Sequence, residues 1–113
     1  MNDNNTEAGV RCVLIRGNVK DEYIPATFIG PFAAHKTVGN PFTYTLTHAA
    51  TGFAVAIGFA TERGAVACAN RILPIADWNF TDVAVVKTWP ADVLKKIAKE
   101  REKLNPIKKF RRK

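Results

Sequence analysis

The chain has 113 residues, 47% of them apolar, which is typical of one globular domain and excludes a disordered polymer. It has two cysteines and a polar N-terminus without a secretion signal, so we expect a reducing, cytoplasmic setting and no disulfide framework. The longest apolar stretch, Gly52 to Ala60, is too short to cross a bilayer, so no membrane partner is expected.

The net charge of +7 is concentrated near the end of the chain. Residues 1–86 contain six Lys/Arg and seven Asp/Glu, whereas residues 87–113 contain eleven Lys/Arg and three Asp/Glu. We therefore expect a disordered leader over residues 1–8, a single domain over residues 9–104 and a basic tail over residues 105–113. A near-neutral body with a basic appendage predicts an anionic partner.

Two strands are predicted before residue 30. Val10 to Val19 has apolar residues on both faces, and Tyr23 to Ile29 follows after polar turn residues. Pro25 favours an edge position for the second strand, through which a homodimer is possible. Residues 30–41, bounded by glycines and prolines, are predicted to form a loop.

The clearest pattern is a hairpin. Phe42 to His48 alternates large residues with three threonines, and Phe53 to Phe59 alternates large residues with Ala and Gly. Between them lies a four-residue turn, in which Gly52 can take a positive φ.

Two helices and one more strand are predicted after the hairpin. Thr61 is a good N-cap for a helix that ends near Leu73, where Pro74 follows. The β-branched run from Asp82 to Lys87 predicts a fifth strand. A last helix begins at Pro90, and its apolar stripe over Val93, Leu94 and Ile97 is expected to cover the threonine face of the hairpin. Alternatively, that face is a flat surface for a phosphate backbone or a protein.

These elements predict an α+β domain. Its antiparallel sheet of about four to five strands would pack against one short helix, and an amphipathic basic helix would follow at the C-terminus. The stretch from Phe42 to Leu73 resembles the three-strand-plus-helix layout of integrase arm-binding and AP2-type DNA-binding domains, through its Thr-Gly turn and through Phe59, Thr61 and Ala65. Those families read DNA with Arg and Lys on the sheet, which the equivalent faces here lack, so the resemblance assigns no site residue.

No catalytic or cofactor motif is recognisable. Cys12 and Cys68 lie among apolar residues and are expected to be small buried side chains. His35 and His48 have no partner at a catalytic spacing, and neither CxxC nor HxxxH occurs, so no metal, cofactor or enzymatic activity is expected.

The basic C-terminal arm is the strongest functional signal. Lysine and arginine clusters bind phosphates through counterion release, and an interleaved aromatic side chain can stack on a base. The sequence therefore predicts a non-enzymatic DNA- or RNA-binding protein. The predicted contacts are Lys96, Lys99, Lys103, Lys108, Lys109, Phe110, Arg111, Arg112 and Lys113.

The alternative is a protein-interaction module, such as an inhibitor or adaptor of the phage or mobile-element type that docks on a host protein complex. Large aromatic side chains anchor protein interfaces, and the candidate anchors, which we expect to be exposed, are Phe32, Trp78, Trp89 and Phe110.

Overall fold

The computed structural model describes residues 11–15 and 21–103. Five antiparallel strands form one sheet in chain order: β1 (Arg11–Ile15), β2 (Glu22–Ile29), β3 (Phe32–Thr37), β4 (Asn40–His48) and β5 (Phe53–Phe59). Two α-helices follow, α1 (Glu62–Ile72) and α2 (Ala91–Lys103), and short 3-10 helices at Leu73–Ile75 and Val83–Thr88 lie between them. The predicted α+β class, with a short helix on the sheet and a C-terminal helix, is confirmed.

The central strand, β3, lies within residues 30–41, so the prediction of a loop there is wrong. Its first four residues, Phe32 to His35, are all buried, and a strand buried on both faces shows no alternation of apolar and polar residues. Alanine, which occupies two of these four positions, also has low β-propensity. Gly30 has a φ of 55° and starts the two-residue turn that joins β2 to β3.

Pro25 lies on an inner strand, because β2 has β1 on one side and β3 on the other. The predicted edge position, and a homodimer through it, are therefore wrong. Instead, the missing N–H of Pro25 interrupts the pairing of β2 with β3. Pairing of β2 with β3 covers only Thr27 to Ile29, and hydrogen-bonded pairs recur every second residue from the turn, so the next one would join Pro25 to Lys36. Pro25 has no N–H to donate, and the two strands part there.

The main core lies between the sheet and both helices. The Thr61 hydroxyl caps α1 by accepting a hydrogen bond from the Gly64 N–H at 3.0 Å, as predicted. Small residues let α1 approach the sheet closely, and the buried core consists of Phe32, Ala34, Leu46, Phe59, Ala65, Cys68, Ala69, Ile72, Trp78 and Ile97. Ile97 of α2 belongs to this core, so the expectation that α2 covers the threonine face is wrong.

The threonine face of β4 is buried and hydrogen-bonded. Thr47 lies 2.7 Å from Nε2 of His35 on β3, and the Thr37 hydroxyl links those of Thr43 and Thr45 at 2.9 and 2.8 Å. Thr45 and Thr47 are both buried. Because both hydroxyls have hydrogen-bond partners inside the fold, the alternative of a flat recognition surface is also wrong for them.

Strand β5 departs from the predicted alternation because its pairing with β4 shifts at two irregularities. Gly58 adopts a φ of 89° at one of them, and Ile57, expected beside the other large residues, is 61% exposed. By contrast, Gly52 in the preceding turn has the predicted positive φ, 77°.

The segment predicted as a fifth strand is a 3-10 helix, Val83–Thr88. The Asp82 carboxylate accepts a hydrogen bond from the Ala84 N–H at 2.9 Å, and the Thr88 hydroxyl donates to the Val85 carbonyl at 2.6 Å. These local side-chain bonds satisfy the backbone at both ends of the segment and override its β-propensity.

Candidate nucleic-acid interface

Helix α2 presents lysines on the side that faces away from the core. Lys95, Lys99 and Lys103 are spaced at i, i+4 and i+8, so they lie above one another along the helix, and Lys96 lies beside them. All four are exposed. We refer to these four lysines as the basic ridge. It includes three of the predicted contact residues, Lys96, Lys99 and Lys103.

One carboxylate partly neutralises the ridge. Glu100 lies 3.5 Å from the Lys103 ammonium and 3.4 Å from the Arg71 guanidinium of α1. The Arg71 and Lys103 side chains are exposed. Because solvent screens their charges, both ion pairs contribute little to stability. Within the described part of the chain, Lys95, Lys96 and Lys99 form no hydrogen bond or ion pair, and their charge remains available.

Arg101 has a different role from the lysines of α2. Its Nη1 donates a hydrogen bond to the Val55 carbonyl of β5 at 3.0 Å. This bond ties the end of the helix to the sheet and uses one of the five guanidinium N–H donors. The other predicted contacts, Lys108, Lys109, Phe110, Arg111, Arg112 and Lys113, lie outside the described residues.

An aromatic cluster beside α2 joins three segments that are distant in the chain. Phe80 stacks on His48 with ring centroids 4.3 Å apart, and Trp78 meets Trp89 edge-on at 5.1 Å. His48 also lies with Nε2 2.7 Å from the Trp78 carbonyl oxygen, to which it donates. The Trp78 indole N–H donates to the Ile72 carbonyl at 3.0 Å, so the buried polar atoms of both rings are satisfied.

This cluster borders a cleft of about 310 Å³, which we call the aromatic cleft. Its volume is at the lower end of the range for small-ligand sites. Its principal walls are the aromatic side chains and the inner face of α2: His48, Phe53, Trp78, Phe80, Trp89, Leu94, Ile97 and Arg101. Phe53 is 47% exposed at the rim. No spacing in the sequence indicates this cleft, because its walls come from β4, β5, the connecting segment and α2.

The candidate anchors of a protein interface are mostly internal. Phe32 and Trp78 are buried in the core, so their expected exposure is wrong. Trp89 is half-buried in the aromatic cleft, and Phe110 lies outside the described residues. Among the residues that the structure describes, the most exposed aromatic side chains are instead Phe42 and Tyr23, at 86% and 71%.

A second cleft, of about 740 Å³, opens where β2 and β3 part, and His35 lines it. Nδ1 of His35 lies 2.7 Å from the Lys36 carbonyl oxygen, the acceptor left without a donor by Pro25. A carbonyl only accepts, so Nδ1 carries the proton and Nε2 accepts from the Thr47 hydroxyl. Burial lowers the pKa of His35 below 6.5, although the bond to Lys36 opposes the shift. Because both ring nitrogens of His35 are hydrogen-bonded within the fold, neither is free to accept a proton from a substrate.

The two cysteines differ in their surroundings. Cys68 is buried in α1, and burial raises the pKa of its thiol to about 11, so the reactive thiolate is scarce at neutral pH. Cys12 on β1 is exposed, so the expectation that both are buried is wrong for this one. Within residues 11–15 and 21–103, no three His, Cys, Asp or Glu side chains group closely enough to hold a metal ion.

Compared with protein families, curated proteins and solved structures, the chain matches none. None of the helices in the described ranges is long and apolar enough to span a membrane.

Proposed function

We propose that this protein binds nucleic acid without catalysing a reaction, and that the basic ridge and the tail contact phosphates. The observation that carries the proposal is the exposure of Lys95, Lys96 and Lys99 on the outer side of α2, without carboxylate partners among the described residues. The helix leads directly into the tail, in which five of the last six residues are Lys or Arg. Cations on one continuous segment release several counterions together when they meet a phosphate backbone.

The near-zero net charge of the rest of the domain supports the assignment of phosphate binding to α2 and the tail. The sheet, α1 and the connecting segment contain about as many acidic as basic residues, so the long-range attraction comes from α2 and the tail. Phosphate contacts of this kind position a protein without reading sequence, and we propose DNA or RNA binding with little sequence preference. Two free cysteines are compatible with the cytoplasm as its location.

The test is a salt titration of binding to labelled single-stranded and double-stranded DNA and RNA. Affinity should fall linearly with salt on a log–log scale. A variant with Lys108, Lys109, Arg111, Arg112 and Lys113 all changed to Gln should bind more weakly and with a shallower slope. A control that removes two positive charges from the body changes Lys36 and Arg63, exposed on β3 and α1, to Gln. Equal affinities of the tail variant and the wild type would refute the role of the tail.

A second candidate function, docking on a protein, is favoured by one observation. Phe42 on β4 and Tyr23 on β2 are largely exposed although both are large aromatic residues, and such side chains anchor interfaces. Capture of a partner that survives nuclease and high salt, and that is lost in Phe42→Ala or Tyr23→Ala, would support docking. A capture that disappears with nuclease would support the nucleic-acid proposal.

A further inference from the structure

The aromatic cleft is a built recess with apolar walls and few polar groups. Its deep walls, Trp78 and His48, are held by buried hydrogen bonds, so they keep their positions without a ligand. Its rim exposes apolar surface at Phe53, Val83 and Leu94. Exposed apolar side chains that surround a recess are typical of a binding site.

The chemistry of the walls favours a flat aromatic ligand. Phe80 and Trp89 meet nearly perpendicularly, with an interplanar angle of 79° and centroids 5.8 Å apart, so the two rings present differently oriented π surfaces. Flat rings pack well on such surfaces, either offset-stacked or edge-on. At the rim, the Arg101 guanidinium uses one N–H on the Val55 carbonyl and keeps others for a carbonyl or phosphate oxygen.

The aromatic cleft lies near the end of the described part of α2, which the basic tail follows in the sequence. Arg101 lines the cleft and lies two residues before Lys103, where the described part of α2 ends, about 3 Å further along the helix axis. The five basic residues of the tail follow within ten residues. A nucleic acid that contacts α2 at Lys103 would therefore lie close to the mouth of the cleft. A nucleobase is a flat aromatic group attached to a chain of phosphates, the chemistry that the basic tail is proposed to bind.

We propose that the aromatic cleft takes one unpaired nucleobase of a single-stranded nucleic acid held by the basic tail. The proposal rests on the nucleic-acid function proposed above and restricts the preferred ligand to single-stranded nucleic acid. A base within a duplex is stacked and paired, so it does not enter a recess of this kind, whereas bases of single strands stack on aromatic side chains. The protein therefore prefers single strands to duplexes.

Intrinsic fluorescence gives a direct readout, because both tryptophans of the chain, Trp78 and Trp89, line the cleft. The full-length protein is titrated at low salt with a short oligothymidylate and with an abasic oligomer of the same length, which keeps the phosphates and sugars. We expect oligothymidylate to quench the tryptophan emission and to bind about fivefold to a hundredfold more tightly than the abasic oligomer, as one stacked base contributes.

The matched variants are Phe53→Ala, at the rim of the cleft, and Phe42→Ala, an exposed phenylalanine on β4 that does not line it. Phe53→Ala should lose the preference for oligothymidylate and keep the affinity for the abasic oligomer. Phe42→Ala should bind both like the wild type. The far-UV circular dichroism and the melting temperature of Phe53→Ala, compared with those of the wild type, show whether the variant is folded.

The outcomes separate the two proposals. If both oligomers bind equally and with the same salt dependence, the base site is wrong and the nucleic-acid function stands. If neither binds at low salt, both proposals fail. If Phe110→Ala shifts the tryptophan emission without any oligomer and oligothymidylate does not, the tail itself occupies the cleft, which also overturns the base site.

Discussion

Nε2 of His48 donates a hydrogen bond to the carbonyl oxygen of Trp78 at 2.7 Å, and this bond joins the end of β4 to a segment 30 residues further along the chain. The same histidine ring stacks on Phe80 and contacts the Thr51 hydroxyl through Nδ1 at 3.1 Å. A single buried side chain thus fixes the connecting segment that forms one wall of the aromatic cleft.

Replacing His48 should destabilise the fold by removing this bond. In His48→Leu the Trp78 carbonyl remains buried without its donor, and we expect a loss of about 1–3 kcal/mol in the free energy of unfolding. His48→Gln keeps an N–H donor and should lose less. Thr51→Ala removes the longer bond to His48 Nδ1 together with the bonds of the Thr51 hydroxyl to the His48 carbonyl and to the Phe53 N–H. Urea denaturation measures all three. A His48→Leu loss no larger than that of His48→Gln would show that the bond to Trp78 contributes little.

The buried state of His35 should make stability depend on pH. Its folded-state pKa lies below 6.5 because burial disfavours the charged ring, so the unfolded chain binds a proton more readily. The stability from this group is fully present above about pH 6.5 and declines as the pH falls towards the folded-state pKa. The slope of the decline is at most about 1.4 kcal/mol per pH unit.

His35→Gln removes the titrating group and should flatten that part of the profile. Chemical denaturation of wild type and variant between pH 7.5 and the acid limit of folding measures the difference, in which the contributions of other groups cancel. Parallel profiles would mean that His35 titrates alike in both states.

The two cysteines should react at very different rates. A thiol reagent at mildly alkaline pH should label Cys12, which is exposed, and leave Cys68 unmodified, since Cys68 is buried and its pKa is raised to about 11. Mass spectrometry should show one label on the native chain and two on the denatured chain. Cys12→Ser should abolish native labelling, and a label on Cys68 in the native protein would contradict its burial.

The basic ridge should add to the phosphate binding of the tail. In Lys95→Gln/Lys99→Gln we expect the log–log salt slope of binding to become shallower by about 0.7–0.9 for each phosphate that the variant no longer neutralises. The melting temperature should stay close to the wild-type value, because neither lysine forms a hydrogen bond or ion pair within the described part of the fold. Lys36→Gln/Arg63→Gln removes the same charge elsewhere, and an equal change in that control would indicate a general charge effect.

The sequence by itself determined the elements that depend on local patterns. The β4–β5 hairpin follows from alternation and a turn glycine, α1 from its cap at Thr61, and α2 from an apolar stripe that follows Pro90. Each of these signals acts within a few residues, where sequence spacing and spatial proximity coincide. The separation of a neutral body from a basic end is likewise a property of composition.

Only the tertiary structure determined the conformation of β3 and of the Val83–Thr88 segment, and the formation of the aromatic cleft. β3 has no alternation because its neighbours bury both of its faces, and the Val83–Thr88 segment, despite its β-branched residues, forms a 3-10 helix with local side-chain bonds at both ends. The aromatic cleft depends on contacts between β4, β5, the connecting segment and α2. Those contacts form by burial of apolar surface. The hydrophobic effect is non-directional and joins residues that are far apart in the sequence, so it leaves no regular residue spacing that a sequence pattern could reveal.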